Sequence, residues 1–165
     1  MRQPGGNITG FSGYEFSVGD KWLGLLKEAA PGLVRVAVMF NPERSPQSKF
    51  FVRAIEAAGA SLGVQVIAAP VRVTADIEPA LESLARQPNG GLILTSDTFT
   101  ILRGSLIANL AGRYRLPSIA SGASFAKNGG LMHYGTDIDL AGEYRRAATY
   151  VDRILTAIRH QHVNF

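Results

Sequence analysis

The stretch "VRVAVMF", residues 34–40, decides the fold. It is a run of β-branched and apolar residues rather than an alternation of apolar and polar ones. A strand of that composition is buried on both faces, as in a parallel sheet covered by helices. The run stops at Asn41-Pro42.

Helical patterns flank it on both sides. Upstream, "VGDKWLGLLKEAAPGL" puts Trp22, Leu25, Leu26 and Ala29 on one face and ends at Pro31-Gly32. Downstream, "SPQSKFFVRAIEAAGASLG" carries a stripe of Phe50, Phe51, Ala54, Ile55, Ala58 and Leu62, with Gly63 as its C-terminal stop. The alternation then repeats. "VQVIAAPV" (64–71) reads as a strand. "TADIEPALESLARQ" reads as a helix with Thr74 as N-cap, Pro79 near its first turns, and Ile77, Leu81 and Leu84 on one face. "GLILT" (91–95) is a strand and "TILRGSLIANLAGRYR" a single helix. "LPSIA" (116–120) and "GLMHYG" (130–135) are short strands. "LAGEYRRAATYVDRILTAI" closes the chain as a helix with Leu140, Tyr144, Ala147, Val151, Ile154, Leu155 and Ile158 at helical spacing.

Strands alternating with helices in short steps predict an α/β fold, a three-layer parallel sheet with right-handed crossovers. Five strands favour the flavodoxin-like, Rossmann-like order 2-1-3-4-5. In that order strands one and three are neighbours, and the chain reverses direction across the sheet between them. Open α/β sheets bind ligands outside the carboxyl ends of the strands at this point. The residues delivered there are Asn41-Pro42-Glu43 and Ser96-Asp97-Thr98. One of the latter three suffices to cap the following helix. The others are free to meet a ligand, so capping and binding coexist in one turn. Tyr134, ending the fifth strand, offers a ring and a hydroxyl on the same edge.

At 165 residues the chain suits one domain, 1–165, with residues 1–13 a loop and 159–165 a tail. Hydrophobic residues are 46% and charged residues 18%, enough for a core. The net charge of +4 is dispersed. Arg113/Arg115 and Arg145/Arg146 are its densest groups, and no run of Lys and Arg is interleaved with aromatics, which points away from nucleic acid. The absence of cysteine excludes disulfides, thiolate metal sites and cysteine nucleophiles. No apolar stretch approaches a membrane span. "MRQPGGNITG" is polar and glycine-rich and reads as a loop rather than a signal peptide, so the chain is expected to begin within something larger. Its Asn7-Ile8-Thr9 matches the short glycosylation pattern.

Catalytic readings are each short of a partner. A phosphoacceptor reading of Asp97 needs an acidic pair after the first strand and a lysine after the fifth; Glu43 stands alone and Tyr134-Gly135 follow the fifth. "GASFA" (122–126) imitates a nucleophile elbow, with Ala126 in place of the last glycine and no Asp-then-His pair. His133 lies in a strand facing a half-buried pocket, and no second ligand is spaced for a metal. Neither a P-loop nor a dinucleotide fingerprint occurs. No cofactor and no metal are expected.

Several segments in order carry a resemblance: "PGGNITGFS", "KWLGLLKEAAPGLVRVAVMFNP", "FFVRAIEAAGASLGVQV", "PNGGLILTSD", "IANLAGRYRLP", "NGGLMHYG" and "YRRAATYVDRIL". Over residues 4 to about 157 the chain resembles the ABC-transporter substrate-binding proteins of the tryptophan/tyrosine-type family. The resemblance implies a type I periplasmic-binding-protein fold, of which this chain is the C-terminal lobe, with residues 1–13 as the inter-lobe loop. The tail "RHQHVNF" departs from the family. Carried over by position, the ligand-facing edge also takes in Ser45 and Ser48 in the loop after Asn41-Pro42, and Ser121 with Gly122 after the fourth strand. In amino-acid-binding members an aspartate usually stands at Gly122 and often an asparagine at Thr98, so an aromatic or carboxylate compound competes with an amino acid as the ligand.

The expected function is therefore a solute-binding lobe without chemistry, serving an ABC permease in the full-length protein and periplasmic there. The alternatives are the sensor domain of a regulator of the same fold and a small flavodoxin-like enzyme. An isolated lobe exposes its inter-lobe face, and a homodimer is the expected consequence.

Overall fold

The computed structural model describes residues 15–135 and 140–161. The inter-lobe loop 1–13, the Asn7-Ile8-Thr9 pattern and the end of the tail lie outside the described residues, as do the side chains of Leu140, Tyr144 and Ile158. The chain forms two compact units, Phe16–Thr136 and the terminal segments Met1–Glu15 with Asp137–Phe165.

In the first unit, α1 (Val18–Ala29) leads to β1 (Arg35–Phe40), α2 (Ser48–Leu62), β2 (Gln65–Pro70), and α3 (Ile77–Ala85) after a 3-10 turn at Thr74–Asp76. Then come β3 (Gly90–Leu94), α4 (Thr98–Leu102), α5 (Gly104–Arg113), β4 (Ser118–Ala120), α6 (Ala123–Lys127) and β5 (Met132–His133). All strand pairs are parallel and the order is β2-β1-β3-β4-β5, as the alternation predicts. Of the second unit, α7 (Leu140–Gln161) is described; its Val151, Ile154 and Leu155 are exposed. No helix among the described residues is long and apolar enough to cross a membrane.

Side chains alternate across the sheet and build two cores. On one face Val36, Val38, Ile93 and Ile119 pack with Trp22, Leu23, Leu26, Phe51 and Ile55 of α1 and α2. On the other, Ala37, Met39, Leu92 and Leu94 pack with Ile77 and Leu81 of α3, Ile107 of α5, and Phe99 and Phe125. Each large apolar side chain buried this way contributes about 1.5–3 kcal/mol. β1 is central and buried from Arg35 to Met39, as its composition requires. β2 is an edge strand and stays largely exposed.

Arg35 is the charged exception inside β1. Its guanidinium donates to the carbonyl oxygens of Leu84, at 3.3 Å, and of Gln87. These carbonyls lie at the end of α3, where acceptors lack intrahelical partners and a positive charge is favoured.

Several elements differ from expectation. The stripe of α2 turns inward through Phe51, Val52 and Ile55, which leaves Phe50 and Leu62 exposed; in α1, Leu23 is buried and Ala29 exposed. Gly63 does end α2, in the left-handed conformation at φ 63°. Thr74 makes no capping bond. Asp76 instead accepts from the backbone N–H of Arg72 at 2.8 Å and of Val73 at 3.0 Å. The hydrogen bond from Val73, then that from Arg72, holds the Asp76 carboxyl below its usual range. The helix expected over 100–115 is two, broken at Arg103. Asp97 fixes the first turn of α4 at the end of β3, while α5 packs Ile107 and Ala111 into the core; the break between them is the non-helical Arg103, at φ -108° and ψ 12°. α6 was not anticipated: "GASFA" supplies its cap, Gly122, and its first turn.

A candidate ligand edge at the strand carboxyl ends

The register places Met39 opposite Leu94, so β1 and β3 end side by side. Just beyond, Asp97 is 3% exposed and serves as the N-cap of α4. Its Oδ1 accepts from Phe99 N–H at 2.7 Å and Thr100 N–H at 3.0 Å. Its Oδ2 accepts from Asn41 N–H at 3.0 Å. One carboxylate thus caps a helix and ties the ends of two strands.

The loop after β1 is equally self-engaged. Asn41 Oδ1 accepts from the N–H groups of Glu43 and Arg44, and its Nδ2 donates to Arg72 O at 3.1 Å. The Ser48 hydroxyl donates to Ser45 Oγ at 3.0 Å and lies 3.1 Å from Thr95 Oγ1. Since Ser48 has one proton and gives it to Ser45, Thr95 is the donor in that second contact. Asn41, Ser45, Ser48 and Thr95 are all buried. The three hydroxyls bond one another and the Asn41 amide bonds main-chain groups, so these polar groups between β1 and β3 are engaged within the protein.

The opening lies one strand further along, at the ends of β3 and β4. A concavity of about 260 Å³, part of it open to solvent, is walled on its apolar side by Leu94, Ile101, Ala120 and Phe125. Thr95, Thr100, Ser121 and Ser124 bring hydroxyls to the wall, and Gly104 and Gly122 complete it. Thr100 donates to Thr95 O and Asp97 O, so its proton is taken. Among the described residues no hydrogen bond engages the hydroxyls of Ser96, Thr98, Ser121, Ser124 or Tyr134. Tyr134 is 40% exposed; its N–H donates to Ala120 O at 3.0 Å and its carbonyl accepts from Trp22 Nε1 at 2.6 Å.

The sequence-derived residues therefore fall into two sets. Ser96, Thr98, Ser121 and Tyr134 reach the surface of the edge, whereas Asn41, Ser45, Ser48 and Asp97 lie inside it. Thr95, Thr100, Gly104 and Phe125 were missed. An isolated glycine within a helical run, Gly104, was the one signal that could have drawn attention to the wall.

Three charged side chains at this edge are engaged. Glu43 and Arg72 form an exposed ion pair at 3.1 Å. Arg103 lies 3.8 Å from the Phe99 ring centroid, and its Nε donates to Thr74 Oγ1 at 2.7 Å. Among the described residues no group of three or more His, Asp or Glu is arranged to hold a metal ion. His133 is exposed rather than facing a half-buried pocket.

The family model for ABC transporter substrate binding proteins matches residues 1–165. The chain belongs to that family. Among solved structures, it is similar to a conserved domain protein from Vibrio cholerae O1 biovar El Tor, with TM-score 0.70, 19% identity, and coverage of 84% of this chain and 45% of that one. It is also similar to the ligand-free, open structure of CD0873, a substrate binding protein with adhesive properties from Clostridium difficile (TM-score 0.60, 23% identity, 67% and 37% coverage). A third likeness is to an ABC domain in complex with L-Trp from Streptococcus pneumonia (TM-score 0.61, 15% identity, 68% and 38% coverage). At these identities the likeness is one of fold: a parallel α/β lobe of the periplasmic-binding-protein kind. The chain spans 37–45% of the length of these structures. A search of curated protein sequences finds no match.

Proposed function

We propose that this chain is the solute-binding lobe of a periplasmic substrate-binding protein that serves an ABC importer. It holds a small organic ligand at the carboxyl ends of β3 and β4 and does no chemistry on it. The observation that carries the reading is the concavity between Leu94 and Phe125, on the functional edge of a chain whose family binds substrates. It is partly open to solvent, as one wall of a two-walled site would be.

In this reading Ser96, Thr98, Ser121 and Tyr134 offer hydrogen bonds to the ligand. Asn41, Ser45, Ser48 and Asp97 hold the edge in shape. A non-catalytic role is supported by Asp97, both of whose oxygens bind backbone N–H groups, and by Ser124, which has no base placed on its hydroxyl among the described residues. In a two-lobed protein, closure over the ligand would be the signal passed to the permease.

The test is a thermal-shift screen of the protein against amino acids, aromatic acids and neutral aromatics, followed by mass spectrometry of any stabilising compound. The proposal predicts a compound that raises the melting temperature and is recovered unaltered. A compound converted to product would refute the non-catalytic role.

A further inference from the structure

We infer that the open edge of β2 is a contact surface for a second copy of this chain, paired antiparallel about Ile67. This surface is separate from the strand carboxyl ends and does not depend on their reading as a ligand site.

β2 pairs with β1 alone, so its other edge is open. Gln65 N–H donates to Val34 O and Val71 N–H to Phe40 O, each at 2.9 Å. Along a strand, alternate residues turn their backbone groups to the same side. Gln65, Ile67 and Ala69 therefore bond to β1, and the N–H and C=O of Val66 and Ala68 point away from the sheet. Among the described residues no hydrogen bond engages those outward groups. The outward row of donors stops at both ends. Val64 N–H donates to Gly59 O at 2.9 Å, and Pro70 has no N–H to give.

This short row is self-complementary. In an antiparallel pair, a hydrogen-bonded couple exchanges both of its bonds. A twofold axis through Ile67 sets Val66 against Ala68 of the second copy, and Ala68 against its Val66. Both open donors of each copy then find acceptors, as an isologous contact requires. Ile67, which is 37% exposed, faces its own counterpart in the closer, non-hydrogen-bonded couple, with Cα atoms about 4.5 Å apart.

Charge selects a second copy as the occupant. Edge strands are normally guarded by charged side chains, lysine above all. β2 has no such guard: no charged residue lies between Glu56 and Arg72, the longest such gap in the sequence. A chain of net charge +4 thus meets its own copy here with no like charges opposed. A charged segment of another protein would find no counter-charge on the strand. The strands alone, six residues and about 20 Å long, make a contact below the ~1,200 Å² of a stable interface. The dimer is therefore weak, and its population follows concentration.

The test is sedimentation equilibrium of the chain from about 0.01 to 1 mM, with hydrogen exchange of the Val66 and Ala68 amides measured at both ends of that range. A dimer is expected at the upper end, where both amides exchange about twofold more slowly or better. Ile67→Lys opposes two positive charges across the axis and is expected to raise the dimer Kd at least tenfold. The chain has no cysteine, so the thiol of Ile67→Cys can pair only with that of another copy. Dissolved oxygen is expected to link Ile67→Cys at least tenfold faster than Gln65→Cys, whose position lies opposite Ala69 of the second copy rather than its own counterpart. A chain that stays monomeric throughout overturns the inference. A dimer undiminished in Ile67→Lys, or equal linking rates in the two cysteine variants, places the contact elsewhere and also overturns it. If Ile67→Lys does not fold, the amide comparison on the unaltered chain decides: exchange at Val66 and Ala68 that is independent of concentration refutes the pairing.

Discussion

Replacing Asp97 separates its two structural roles. In Asp97→Asn, the amide oxygen can still cap α4, because Asn and Asp are equivalent caps. The amide –NH2 then faces Asn41 N–H, a donor against a donor. That buried N–H loses its acceptor, at a cost of about 1–3 kcal/mol. Asp97→Ala removes the cap as well, adding about 0.5–2 kcal/mol, so about 1.5–5 kcal/mol is expected in total. For a domain of this size each kcal/mol lowers the melting temperature by about 2–4 °C. Urea denaturation followed by the fluorescence of the single tryptophan, Trp22, reads the effect directly. The midpoint should fall in the order wild type, Asn, Ala, with an unchanged slope, since the exposed area on unfolding is the same. Hydrogen exchange at Asn41 N–H should quicken in both variants. An Asn variant within about 0.5 kcal/mol of wild type, a surface-like value, with Asn41 protection intact, would refute the reasoning.

Other residues give shorter tests. Arg35→Met should lower stability by about 1–3 kcal/mol, because it leaves the Leu84 and Gln87 carbonyls without their donor; chemical denaturation checks it. The Asp76 carboxyl is held below its usual range by the Val73 and Arg72 N–H groups. A folded-state value lower than the unfolded one means that its contribution is fully present above the unfolded value of about 3.9. That contribution is lost as pH falls through the folded value, so Asp76→Asn should flatten the acid limb of the stability curve, and NMR titration of the Asp76 carboxyl should show the lowered midpoint. Gly104→Ala should stabilise the folded chain by about 0.4–1 kcal/mol, since its Cβ meets open space; a calorimetric melting temperature below wild type would contradict the empty wall.

The sheet was legible because burial on both faces of a parallel strand leaves a plain mark in "VRVAVMF" and "GLILT". Their neighbours' helical stripes then left one favoured strand order. Phase was less legible. Phe50 and Phe51 are adjacent and equally apolar, and only packing on the sheet shows that Phe51 points inward. The break at Arg103 escaped for a similar reason. "TILRGSLIANLAGRYR" is periodic throughout, and the constraint that splits it lies in Asp97, outside the run. At the edge, sequence located the residues but not the allocation of their hydrogen bonds. Asn41 N–H reaches Asp97 because β1 and β3 end in register, a relation spanning 56 positions. Ser45, Ser48 and Thr95 form a chain of hydroxyls only once α2 is docked beside β3. With those polar groups engaged within the protein, the open wall falls between β3 and β4.

The central claim is that this edge binds a small organic ligand. Its most direct test is the amide shift map for whichever compound of the screened set most stabilises the protein. The account predicts that the perturbed amides converge on Thr95–Thr98, Ile101–Gly104 and Ser121–Ser124. Perturbations confined to the opposite end of the sheet, at Pro31–Val34, Arg86–Asn89 and Tyr114–Pro117, or to the exposed edge strand β2, would contradict it.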